Sequence, residues 1–186
     1  MLSGSKKEFA IELELVKTFI EYHIDMTRRV WDSINQITEE QFLADDAYSR
    51  GSIRNLMVHL TTTDSNWLAG LKNIPEDQDP PKKKYEDYPT RAVVRQFWDA
   101  TAKNVADYAA KLTDAELNEN PVDIQNPRWQ VILHIINHGT DHRSTVLQRL
   151  HKFGTPTFDQ DFIMWLWNRK KRLRYSGPRL DAGAKS

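Results

Sequence analysis

Residues 129–153 read WQVILHIINHGTDHRSTVLQRLHKF, one helical pattern in which His134, His138 and His142 recur every fourth position. An α-helix advances about 100° per residue, so steps of four stack side chains nearly above one another. The same face carries Val131, Ile135, Val146 and Phe153, which puts the histidines in or beside the stripe expected to meet a core. A buried imidazole needs a partner for each ring nitrogen. Two stacked imidazoles can supply two ligands to one divalent ion, the logic of a helical H-x-x-x-H pair. A metalloprotease of the H-E-x-x-H type is disfavoured, because Gly139 follows His138 where that motif needs its glutamate base.

The 186 residues suffice for one domain with a core and are short for two. Lys plus Arg and Asp plus Glu each number 26, so no global field draws the chain to nucleic acid or anionic lipid. Cysteine is absent, which excludes disulfides, thiolate nucleophiles and Cys-ligated metal sites. Any metal must be held by histidine, carboxylate or water. The first residues, MLSGSKKEFAIELELV, hold no signal-type apolar run, and no stretch has the length of a membrane helix, so a soluble cytoplasmic protein is expected.

Upstream, residues from about Lys6 to Gln36 form an amphipathic helix with Val16, Ile20, His23, Thr27, Val30 and Ile34 on one side. His23 lies inside that stripe, as a hydrogen-bonded core histidine or as a pocket wall. Thr38-Glu-Glu-Gln41 is a capping-box pattern, and Asp45 to Gly51 reads as a loop. Ser52 caps a second helix running to about Leu71, with Ile53, Leu56, Leu60, Trp67 and Leu71 on its apolar side and His59 on the flank. Asn73 to Pro89 is a proline-rich charged linker, long enough for a crossover in a bundle.

A third helix runs from about Thr90 to Leu112, with Val93, Val94, Phe97, Thr101, Val105 and Tyr108 inward, and Thr113 opens another capped turn. Gly154 and Pro156 end the fourth, histidine-bearing helix. Asp159 to Asn168 reads as a short apolar fifth helix across an open end of the bundle. From Arg169 onward the tail is basic, with seven cations against Asp181, and reads as a solvated arm.

Four helices with a long second connection predict an all-α four-helix bundle. Bundles build metal sites from side chains on facing helices. His59, His138 and His142 together make three imidazoles with an open position, a site of catalytic type for Zn, Ni, Fe or Mn.

The block Asn137-His138-Gly139-Thr140-Asp141-His142-Arg143, the apolar run before it and Asp161-Phe162-Ile163 after it, with the lone His59 in Ile53 to Leu60, resemble the DinB/YfiT-like superfamily. The resemblance extends to about residue 168 and so divides the chain into a bundle domain, 1–168, and a basic tail, 169–186. It implies an up-down-down-up four-helix bundle, often a homodimer, binding a divalent metal through His59, His138 and His142. Asp141 stands where the family often has a further histidine, and Ser144-Thr145 where it often has Gly-Gln, departures that bear on the subfamily and the substrate. His134, His23 and Arg143 remain pocket candidates. His134 is a weak ligand candidate, because His134 and His142 are two turns, roughly 12 Å, apart along the helix.

The resemblance implies metal activation of a thiol or water: a transferase acting with a low-molecular-weight thiol on a small-molecule substrate, or a hydrolase. The alternative is a non-catalytic metal- or small-ligand-binding bundle related to stress. A nucleic-acid role rests only on the tail and on the family's name, and the zero net charge opposes it.

Overall fold

The computed structural model describes residues 11–75 and 84–175, with side chains to residue 170. Seven α-helices follow one another: α1 (Leu13–Ile34), α2 (Glu39–Leu43), α3 (Ile53–Leu71), α4 (Arg91–Lys111), α5 (Asp114–Asn118), α6 (Arg128–Lys152) and α7 (Phe162–Tyr175). No strand occurs among the described residues, and none of their helices is long and apolar enough to cross a membrane.

The helix starts obey local chemistry. Thr38, Ser52, Thr90 and Thr113 each accept a backbone N–H of the first turn that follows, and Thr38 and Thr113 complete capping boxes with Gln41 and Glu116. Each such cap stabilises its helix by about 1 kcal/mol. At the far end of α6, Gly154 takes φ +76°, the left-handed conformation that closes a helix.

The four long helices form a ring in which α1 and α3 each pack on α6 and α4. Trp31 meets Trp98 while Arg91 donates to the Ile34 carbonyl, so α1 and α4 run in opposite directions. His23 lies against Gly139 and Thr27 against Arg143, so α1 and α6 run together.

Two apolar clusters fill the interior. One gathers Trp31, Ile34, Phe42, Ile53, Leu56, Val94, Trp98 and Val146, and the other Val16, Ile20, Met26, Leu71, Ala109, Leu117, Val131 and Ile135. The starts of α3 and α4 both enter the first cluster and their ends the second. The two helices are therefore parallel, and their connection has to travel the bundle's length, which explains the long linker. Between the clusters lies a polar layer of His23, Thr27, Thr61, Asp64, Thr101 and Arg143, all buried.

Several expectations need correction. Helix α1 begins at Leu13, after an extended Glu12, and Lys6 lies outside the described residues. On α4 the buried aromatic is Trp98, at 3 % exposure, while Phe97 is half-buried. Phe153 stays exposed beyond the end of α6.

The last helix starts later and runs longer than Asp159 to Asn168, and it lies on the flank of α1 rather than across an open end. Phe162 stacks on Phe19, Trp165 donates its indole N–H to Asp25, and Arg169 bonds Glu21. Residue 169 is thus inside α7. The tail beyond Tyr175, the linker residues 76–83 and residues 1–10 lie outside the described residues.

Candidate metal centre

Helices α3 and α6 pass each other in opposite directions, and their facing edges carry four histidines. His59, in the second turn of α3, meets His138 and His142, while Trp67 further along α3 meets His134. The cause is phase. Ser52 fixes where α3 starts, Leu56 and Leu60 turn inward, and His59 is left at the border of the buried face. On α6 the buried face runs through Ile132, Ile135, Gly139, Arg143 and Val146, so the histidine row lies beside it. His59, His138 and His142 are half-buried, and His134 is exposed.

Nε2 of His59 stands 3.1 Å from Nε2 of His138. The His142 ring centroid lies 4.7 Å from that of His59 and 4.3 Å from that of His138. One nitrogen of each of the three rings lies within 4.8 Å of the others, and no carboxylate among the described residues joins the group.

Burial holds the His59 ring well below the ordinary imidazole value, at about 4, and the charge of Arg50 adds to the push. Burial likewise holds His138 at about 4, with His142 adding to it. His142 is lowered by burial and by Arg50, against the opposing charge of Asp141. The rings are therefore neutral at pH 7, the form in which imidazole ligates a metal.

The residues fit a divalent cation on their own terms. Two neutral imidazoles whose Nε2 atoms meet at 3.1 Å can share only one proton, and a nitrogen of His142 lies within 4.8 Å of both, so ring lone pairs converge on one small volume. Such a cluster of lone pairs is costly unless an electrophile takes them up. With metal–nitrogen bonds of about 2.0–2.1 Å, two tetrahedral ligands stand roughly 3.3 Å apart, close to the 3.1 Å between His59 and His138, with the His142 nitrogen within 4.8 Å of both.

The other candidates fall elsewhere. His134 is outside the trio, its ring centroid 6.1 Å from that of His138, and it rests edge-on against Trp67. His23 is 3 % exposed, and both its nitrogens are engaged. Arg143 Nη1 lies 3.0 Å from His23 Nδ1, and Asp64 Oδ2 lies 3.0 Å from His23 Nε2. A guanidinium only donates, so Nδ1 accepts and Nε2–H donates to Asp64. Arg143 is fully buried and also donates to Thr27, Thr140 and Gln160, which leaves it tying α1, α6 and the α6–α7 connection together. Burial pushes its guanidinium down to about 10, so it stays charged at pH 7.

Two residues escaped the sequence reading. Asp64 is a buried carboxylate on α3 whose charge acts on both His59 and His138. Its signal was a carboxylate one turn beyond Leu60, on the side of the helix that packs inward. Arg50, in the loop before α3, brings Nη2 to 3.4 Å from His59 Nε2. Nothing local in the sequence marked it.

No match to the chain is found among curated proteins. The family profile described as "DinB family" matches residues 10–172, a span that includes all four long helices and all three gathered histidines. With that match over most of its length, the chain belongs to the DinB family.

Proposed function

We propose that the protein is a divalent-metal-dependent enzyme in which His59, His138 and His142 hold the ion and a thiol or water is activated for transfer or hydrolysis. The observation that supports it is the trio itself: three neutral imidazoles from two helices, half-buried, with no carboxylate donor among them. Neutral ligands leave the ion's full charge available, so a bound divalent ion would supply Lewis acidity toward a thiol, a water or a carbonyl.

The chain's own residues do the positioning. Helices α3 and α6 hold the rings at fixed separation, so the site needs little rearrangement to close on an ion. Burial keeps the rings unprotonated at neutral pH. Beside the trio, His23 is bonded to both Asp64 Oδ2 and Arg143, which ties α1, α3 and α6 together, while Asp64 Oδ1 is buried without a partner.

The experiment is elemental analysis of the purified protein, followed by thiol-transfer and ester-hydrolysis screens before and after chelation. One divalent ion per chain and a turnover lost on chelation and restored by metal are expected. A metal-loaded protein inert in both screens would contradict the enzymatic reading. It would favour a binding bundle, a reading consistent with the absence of a carboxylate base from the histidine group among the described residues.

A further inference from the structure

We infer that Arg50 is the anchor for an anionic group on the small molecule that enters the histidine site, so that the site selects ligands carrying a carboxylate beside their metal-seeking atom. The inference rests on the metal-centre reading above and adds its substrate class.

Arg50 is exposed, yet its loop is held in place. Buried Arg149 donates Nη2 to the Tyr48 carbonyl at 2.5 Å. Asp46 accepts the Tyr48 backbone N–H and pairs with Arg149 and Lys152. Asn55 Nδ2 donates to the carbonyl of Arg50 itself at 2.9 Å, and Arg54 in turn orients Asn55. Ser49 at φ 60° and Gly51 at φ 82° bracket Arg50 in left-handed backbone, and a side chain at 51 would collide with Asp45. A serine held at positive φ is uncommon and persists only where its surroundings over-determine it.

All of this bonding fixes the backbone and leaves the guanidinium free of carboxylates. Among the described residues Arg50 makes no ion pair, and its polar contact is with His59 Nε2, an atom that belongs to the ligand trio. Once that nitrogen's lone pair is used by an ion, the Arg50 donors lose their acceptor. They then stand free at the edge of the three rings.

Charge points the same way. Three neutral imidazoles do nothing to offset a dication, and Arg50 adds a further positive charge. The carboxylates whose charge reaches the rings are Asp64, already bonded to His23, and Asp141, exposed on α6; neither pairs with Arg50. An incoming anion completes the site. A carboxylate on the planar guanidinium fork makes two charge-assisted bonds, which a neutral group cannot match.

The test uses the full chain loaded with Co(II) and two small thiols, 3-mercaptopropionate and the uncharged 2-mercaptoethanol, followed by the thiolate-to-cobalt absorption band. The wild type should bind 3-mercaptopropionate about tenfold or more tightly than 2-mercaptoethanol. Arg50→Ala should remove that preference and leave 2-mercaptoethanol nearly unchanged, with Arg50→Lys between. Arg50→Ala should also hold cobalt at least as tightly as wild type, because a neighbouring cation is gone. Equal affinities for the two thiols, or a preference that survives Arg50→Ala, with cobalt bound normally, would overturn the role of Arg50 and leave the metal centre standing. Failure of the wild type to bind cobalt would overturn both.

Discussion

Nε2 of His23 on α1 donates to Oδ2 of Asp64 on α3 at 3.0 Å, at the level where the two apolar clusters of the bundle meet. The neutral imidazole bridges a cation and an anion, Arg143 on its other nitrogen and Asp64 on this one. Asp64→Ala therefore removes the acceptor for His23 and a carboxylate whose charge acts on a fully buried guanidinium. Breaking one partner of such a buried set costs about 3–5 kcal/mol. Urea denaturation should show a loss of that size for Asp64→Ala and a smaller one for Asp64→Asn, which keeps an acceptor. Wild-type stability in Asp64→Ala would mean that the layer contributes nothing.

Gly139 makes that layer possible. A Cβ at 139 would collide with Cε1 of His23 and lie 2.6 Å from its Nδ1 and 2.8 Å from Arg143 Nη1. Neither neighbour is free to yield, since both are buried and bonded. Gly139→Ala should destabilise by about 1–3 kcal/mol despite the better helix propensity of alanine. An unchanged or raised midpoint of thermal unfolding would show that α1 and α6 can separate without cost.

The acid response of the metal-free protein follows from the histidine trio. Burial lowers the folded values of His59 and His138 to about 4 and lowers His142 as well, while an unfolded imidazole titrates near 6.5. Between those values the unfolded chain binds more protons than the folded one, so stability is lost as pH falls from about 6.5 toward 4. After chelation, the unfolding midpoint should drop between pH 7 and pH 5, and the His59→Gln, His138→Gln double variant should drop less. A midpoint that holds or rises across that interval would contradict the lowered values.

The parts legible in the sequence are those that local spacing determines. His138 and His142 share an edge because they are one helical turn apart, and the caps at Thr38, Ser52, Thr90 and Thr113 act within three residues. His59 was reachable because an amphipathic pattern places a flank residue as surely as a core one.

What stayed hidden depends on long-range contacts. The extension of α7 through Arg169 is tied to Glu21 across the fold, and charges that read as a tail are partly a helix face. The loop that carries Arg50 toward His59 is held in part by Arg149, 99 positions later, which grips the Tyr48 carbonyl. The pairing of His23 with Asp64 spans two helices and left no periodic trace beyond one carboxylate on an inward-facing stripe.

Metal stoichiometry of four single variants, purified alike, tests the central assignment most directly. His59→Ala, His138→Ala and His142→Ala each remove one of three gathered ligands and should lose most of the bound divalent ion. His134→Ala removes an exposed ring that rests on Trp67 and should retain it. If His134→Ala loses the metal while His59→Ala keeps it, the ion is held by α6 alone and the three-histidine centre between α3 and α6 is wrong.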